Sequence, residues 1–171
     1  PPRSMPALLA WARANPGRFT YPLPPDFMGS SFLKQALADL VLSRTPLSEP
    51  VVDDAQFAAV TKPLWDFLDA LHPHLWRQAK AFPNNSADLR RLLADGETSI
   101  AFAFNPADAS AAIANKELPD TVRSYVLDKG TIGNIHFLAI PYNAAHKAGA
   151  MVLADFLLSP EAQAAKQDPK I

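Results

Sequence analysis

Cysteine is absent from the 171 residues. That excludes disulfides, thiolate metal sites and cysteine nucleophiles together. No apolar run approaches the roughly 20 residues that span a bilayer core. A basic-then-apolar signal peptide does not occur within this segment. An excess of one charge is also missing: Lys plus Arg is 16, Asp plus Glu is 17, and the net charge is −1. Such a balance recruits neither nucleic acid nor an anionic membrane by bulk charge. Glycine is scarce, at 6 residues, about half its usual share.

Proline runs the other way, with 17 residues, about double its usual share. The prolines sit at segment edges and punctuate a folded chain. A hydrophobic share of 49% provides for a packed interior. The length suits one domain. The opening Pro1-Pro2-Arg3-Ser4-Met5-Pro6 and the ending Lys170-Ile171 read as the interior of a longer protein, so a fragment is expected.

Apolar spacing predicts helices over 5–14, 30–42 and 53–79, the last broken at Pro63 and near Pro73. Further helices are expected over 86–94, 106–115, 145–158 and from Ser159-Pro160 onward. Residues 43–50 read as a polar loop. Alternation predicts strands over 18–21, 98–104, 121–127 and 134–140. Strands between helices predict an α/β domain, a mixed β-sheet flanked by helices.

Candidate binding residues fall at element ends. Gly29-Ser30-Ser31 stands where a helix begins, and free N–H groups there suit a polar ligand; an ordinary Ser cap is the plainer alternative. Asn84-Asn85-Ser86 reads as a helix cap. Asn105 stands at the end of a strand, where α/β sheets bind ligands, or else in an Asn-Pro turn. Gly130-Thr131-Ile132-Gly133-Asn134 lacks the Lys-Ser/Thr ending of a phosphate loop and suits a bend or a close backbone approach. His72 and His74 lack a third metal ligand, so no metal is expected. His136 reads as a structural histidine, and His146 as solvent-facing. No Gly-x-Ser-x-Gly elbow occurs. Trp11, Trp65 and Trp76 are expected in the core, with Trp76 the one candidate stacking platform.

A longer pattern is more specific. Leu9-Ala10-Trp11-Ala12-Arg13-Ala14-Asn15-Pro16-Gly17-Arg18-Phe19-Thr20-Tyr21 leads into Pro24-Pro25-Asp26-Phe27-Met28-Gly29-Ser30-Ser31-Phe32. Leu92-Leu93-Ala94-Asp95-Gly96-Glu97-Thr98 follows, then Gly130-Thr131-Ile132-Gly133-Asn134, and Leu157-Leu158-Ser159-Pro160-Glu161-Ala162-Gln163 closes the series. Across nearly the whole chain this resembles the later part of an extracellular solute-binding protein of an ABC importer. The likeness is to the type II, two-lobe periplasmic architecture, in a subgroup of poorly defined substrate.

The resemblance implies that residues 1–171 form one α/β lobe, with 132–167 returning toward a first lobe. It implies a small polar solute held at Gly29, Ser30, Ser31, Phe32, Asn105, Gly133 and Asn134. It also implies a periplasmic location, ABC permease membrane subunits as partners, a monomer when full length, no nucleic acid, no membrane insertion, no cofactor and no catalysis. Two alternatives remain. One is the effector lobe of a transcription regulator. The other is an enzyme on a similar scaffold, such as porphobilinogen deaminase, whose cofactor-bearing cysteine is missing here.

Overall fold

The computed structural model describes residues 1–41, 47, 50–105, 107–134 and 137–166. Most of the polar loop 43–50, together with Pro106 and His136, lies outside the described residues. The chain divides into two compact units, Pro1–Ala103 with Tyr125–Ile132, and Phe104–Ser124 with Gly133–Ile171.

The first unit is built on helices. Helix α1 is Met5–Ala14, as its spacing predicts. Ser4 caps it, and the buried Asp39 carboxylate accepts the Met5 N–H at 2.7 Å. One of the donors that every helix start leaves unpaired is thus filled from 34 residues away. Helix α2 is Phe27–Leu40, starting three residues before the expected Ser30. Helix α3 is Asp54–Leu71 and runs through Pro63 without a break. The carbonyl that Pro63 leaves without its helical donor belongs to Ala59, which is exposed to water. Two short 3-10 turns follow, His72–His74 and Trp76–Ala79. Helix α4 is Ser86–Ala94, capped by Asn85, whose side chain accepts the Asp88 N–H.

Helices α1, α2 and α3 enclose the core. Met5, Leu8, Phe32, Ala36, Leu64, Phe67, Leu68 and Leu71 line it, together with Phe19 and Tyr21. Phe32 lies at its centre, 4.6 Å from the Tyr21 ring, 5.5 Å from Phe19 and 5.6 Å from Phe102, centroid to centroid. Trp11 packs against this core. Trp65, expected inside, is half exposed, with its indole N–H on Thr61.

The expected mixed sheet is absent among the described residues. Segments 18–21 and 98–104 are extended, yet they meet in a single parallel bridge, Phe19 to Ile100. The backbone bonding shows why. On its other side the first segment meets turns rather than a strand: Trp76 N–H donates to the Phe19 carbonyl, and Leu23 N–H to that of Pro83. Pro22, Pro24 and Pro25 have no N–H to extend a ladder. Residues 121–127 find the N-terminal arm instead, with Asp128 N–H on the Arg3 carbonyl and Arg3 Nη1 on the Val126 carbonyl. Alternation thus produced extended chain, and the pairing partners proved irregular. The fold of the described residues is helical, and the α/β expectation is corrected.

The second unit carries α5, Asp108–Ala114, α6, Lys147–Leu158, and α7, Pro160–Ala165. Ser159 caps α7 by accepting the Ala162 N–H, as its Ser-Pro-Glu start predicts. Helix α6 has no buried residue. Its Met151, Val152, Leu153, Phe156 and Leu158 are all more than half exposed.

Candidate functional site

The start of α2 is the most structured of the predicted positions. Asp26 caps the helix, and its carboxylate accepts from Met28 N–H at 2.8 Å and Gly29 N–H at 3.3 Å. Ser30 N–H donates to the Asp26 carbonyl. The donors expected to point outward from Gly29 and Ser30 are therefore engaged within the chain. A carboxylate at this helix end also repels an incoming anion.

Each predicted residue here has a defined place. Gly29 is buried, and a Cβ on it would lie 2.0 Å from the Pro22 carbonyl oxygen. Its missing side chain lets α2 press on the 22–23 backbone. Ser31 is buried and its hydroxyl donates to the Phe27 carbonyl at 2.7 Å. Phe32 is 6% exposed, inside the aromatic cluster. Ser30 is half-buried, and its side chain is the one of the four that neither packs in the core nor donates within the helix.

The remaining predicted residues belong to the second unit. Asn105 is exposed, and its side-chain oxygen accepts the Ala107 N–H at 2.9 Å, closing a local turn. Gly133 and Asn134 are exposed, and a Cβ on Gly133 would meet nothing within 4 Å.

Two features of the first unit escaped sequence reasoning. The first is a polar contact at the rim of the core. The Tyr21 hydroxyl and His72 Nε2 share a hydrogen bond of 2.8 Å, with Phe82 packed against both rings. Burial pushes the Tyr21 hydroxyl up to about 12. Burial also pushes His72 below the ordinary histidine value, and Asp69 partly opposes that shift. His72, weighed as a metal ligand, is thus a neutral hydrogen-bonding partner. Among the described residues no three His, Asp or Glu side chains gather where a metal ion could sit.

The second feature is a left-handed turn. Arg77, Gln78 and Ala79 have φ of 51°, 56° and 57° in succession. Side chains other than glycine's pay about 1–2 kcal/mol per residue in that region. The Arg77 guanidinium lies 4.2 Å over the Trp76 ring, and Trp76 Nε1 donates to Glu97 at 2.7 Å. Trp76, the candidate stacking platform, is thus already covered on one face. The signal in the sequence was the Trp76-Arg77 pair; the backbone conformation left none.

Comparison with known proteins supplies what geometry leaves open. Residues 1–168 match the family described as bacterial extracellular solute-binding protein. The chain is also 49% identical, over all 171 residues, to Protein YnjB of Escherichia coli strain K12. It spans 44% of that relative's length. No solved structure matches. The chain belongs to the bacterial extracellular solute-binding protein family.

Proposed function

We propose that this chain forms part of a periplasmic protein that captures a small polar solute and delivers it to the membrane subunits of an ABC importer. The observation that carries this reading is the family match over residues 1–168. In this reading the chain contributes a second lobe, and the solute lies in a cleft between it and a first lobe. Residues 132–167 return toward that first lobe. The uncovered apolar side chains of α6, with Phe137 and Leu138 exposed beside them in sequence, support such a return. The full-length protein acts as a monomer and performs no covalent chemistry. Ligand contact closes the two lobes because only the closed state touches the solute from both sides.

Within the proposal, Ser30, Asn105, Gly133 and Asn134 supply direct solute contacts. Gly29, Ser31 and Phe32 hold the shape of the helix that presents Ser30. A thermal-shift panel of oxyanions, metals, amines, vitamins, sugars and amino acids on the full-length protein tests the reading. A solute at 100 times its Kd adds about 2.7 kcal/mol. A hit on the full-length protein that is weakened in Ser30→Ala and Asn105→Ala, with both variants folded, supports the capture role and these contacts. A hit with unchanged affinity in both variants removes the site assignment. Clean melting curves with no hit count against solute capture itself.

A further inference from the structure

We propose that the left-handed turn Trp76–Ala79 is a docking element, in which Arg77 takes a carboxylate on the membrane subunits of the importer. The inference rests on the delivery role proposed above and names a contact that would make delivery specific.

The argument begins with the backbone. Glycine adopts φ near +55° without cost, yet the sequence here reads Arg-Gln-Ala. Ala79 has a packing reason, since it lies against the hydrophobic core. Arg77 and Gln78 have none: both are exposed. A strained conformation held by bulky, exposed side chains points to a use for those side chains.

The side chains point to the same use. Trp76 is fixed from two sides, by its backbone N–H on the Phe19 carbonyl and its indole N–H on Glu97. Arg77 lies on that fixed ring at 4.2 Å. Its guanidinium N–H groups have no hydrogen-bonding partner among the described residues, and neither does the Gln78 side chain. The cation is thus held in place with its donor fork open. Planar guanidinium donors match a carboxylate in a two-point contact, and stacking lowers the entropy lost on binding. Trp and Arg are also the residues that most often dominate protein interfaces.

The partner's chemistry follows from the local charge. Arg18 donates to the Gly96 carbonyl and Glu97 accepts from Trp76, so both face inward to the chain. Arg77 and Lys80 are left as exposed cations of the turn. Two cations fall short of the cluster of four to eight that an anionic lipid surface requires. One oriented guanidinium beside a tryptophan fits a protein carboxylate.

The test uses the full-length protein with its transporter reconstituted in liposomes, reading ATP hydrolysis against binding-protein concentration. Arg77→Gly removes the side chain while relaxing the backbone, so it does not fail by misfolding. It is expected to raise the half-maximal concentration about tenfold with solute affinity unchanged. Arg77→Lys keeps the charge, loses the fork and falls between. If the wild-type protein stimulates hydrolysis and Arg77→Gly does so equally well, the docking contact is overturned while delivery stands. If the wild-type protein gives no stimulation, the delivery role falls and this contact with it. Cosedimentation of the wild-type protein with phosphatidylserine vesicles, abolished in Arg77→Gly, would replace the protein partner by a lipid and overturn the proposal.

Discussion

Replacing Gly29 by alanine separates a packing role from a ligand role at the same residue. The added Cβ would lie 2.0 Å from the Pro22 carbonyl oxygen and 2.9 Å from its carbon, over 1 Å inside ordinary contact for the oxygen. The neighbour is backbone, so no rotamer change relieves it. Pro22 is among the fully buried residues, and the next residue, Leu23, is tied by its N–H to the Pro83 carbonyl. Alanine gains about 1 kcal/mol over glycine as a helix former. Overpacking against a fixed wall costs about 1–3 kcal/mol and more in tight sites. At this separation the clash wins, and we expect a net loss of about 3 kcal/mol. For a chain of this size that lowers Tm by about 6–12 °C. The assay is thermal and urea unfolding, with Ser30→Ala as a control in the same helical turn, expected within about 0.5 kcal/mol of wild type. A Gly29→Ala protein as stable as wild type would refute the packing argument. If it also lost solute affinity, Gly29 would be there for the ligand.

Asp39→Ala should cost about 2 kcal/mol, because the buried Met5 N–H loses its acceptor; Asp39→Asn, which keeps an acceptor oxygen, should recover part of it in urea titrations. His72 should make stability pH-dependent. Its folded value lies below the unfolded value of 6.5, so the unfolded chain binds the proton first. The contribution is complete above about pH 6.5 and is lost as pH falls toward the depressed folded value. Tm should therefore drop more steeply between pH 7 and 5 in the wild-type protein than in His72→Gln, and equal slopes would contradict the assignment. Asp26→Ala should cost about 1 kcal/mol through loss of the α2 cap, read as a lower urea midpoint with an unchanged m-value.

Helix positions were largely legible because their signals are local. Ser4 before α1, Asn85 before α4 and Ser159-Pro160 before α7 each mark a start within a few residues of the donor they satisfy. The start of α2 was misplaced because Gly29-Ser30 carries a cap-like signal of its own, while Asp26 holds the N–H groups. Pro63 was read as a break because proline removes a helical bond; the exposure of Ala59, which makes that loss tolerable, is a property of the packed molecule.

By itself the sequence determined the helical punctuation, the absence of thiol chemistry, the balanced charge and the resemblance to solute-binding proteins. These depend on residue identity or on neighbours within a turn or two. Tertiary structure alone decided whether extended segments became a sheet, and what Gly29, Phe32 and His72 do. Alternation at 18–21 favours extended chain, but a ladder needs a partner strand, and packing placed the turns at 74–83 along that edge. Gly29 and Phe32 were read as ligand contacts from their place near a helix start; a carbonyl at residue 22 and rings at residues 19, 21 and 102 give them other tasks. Burial and hydrogen bonding are set by what the folded chain brings close, and that proximity is not written in the spacing of the residues concerned.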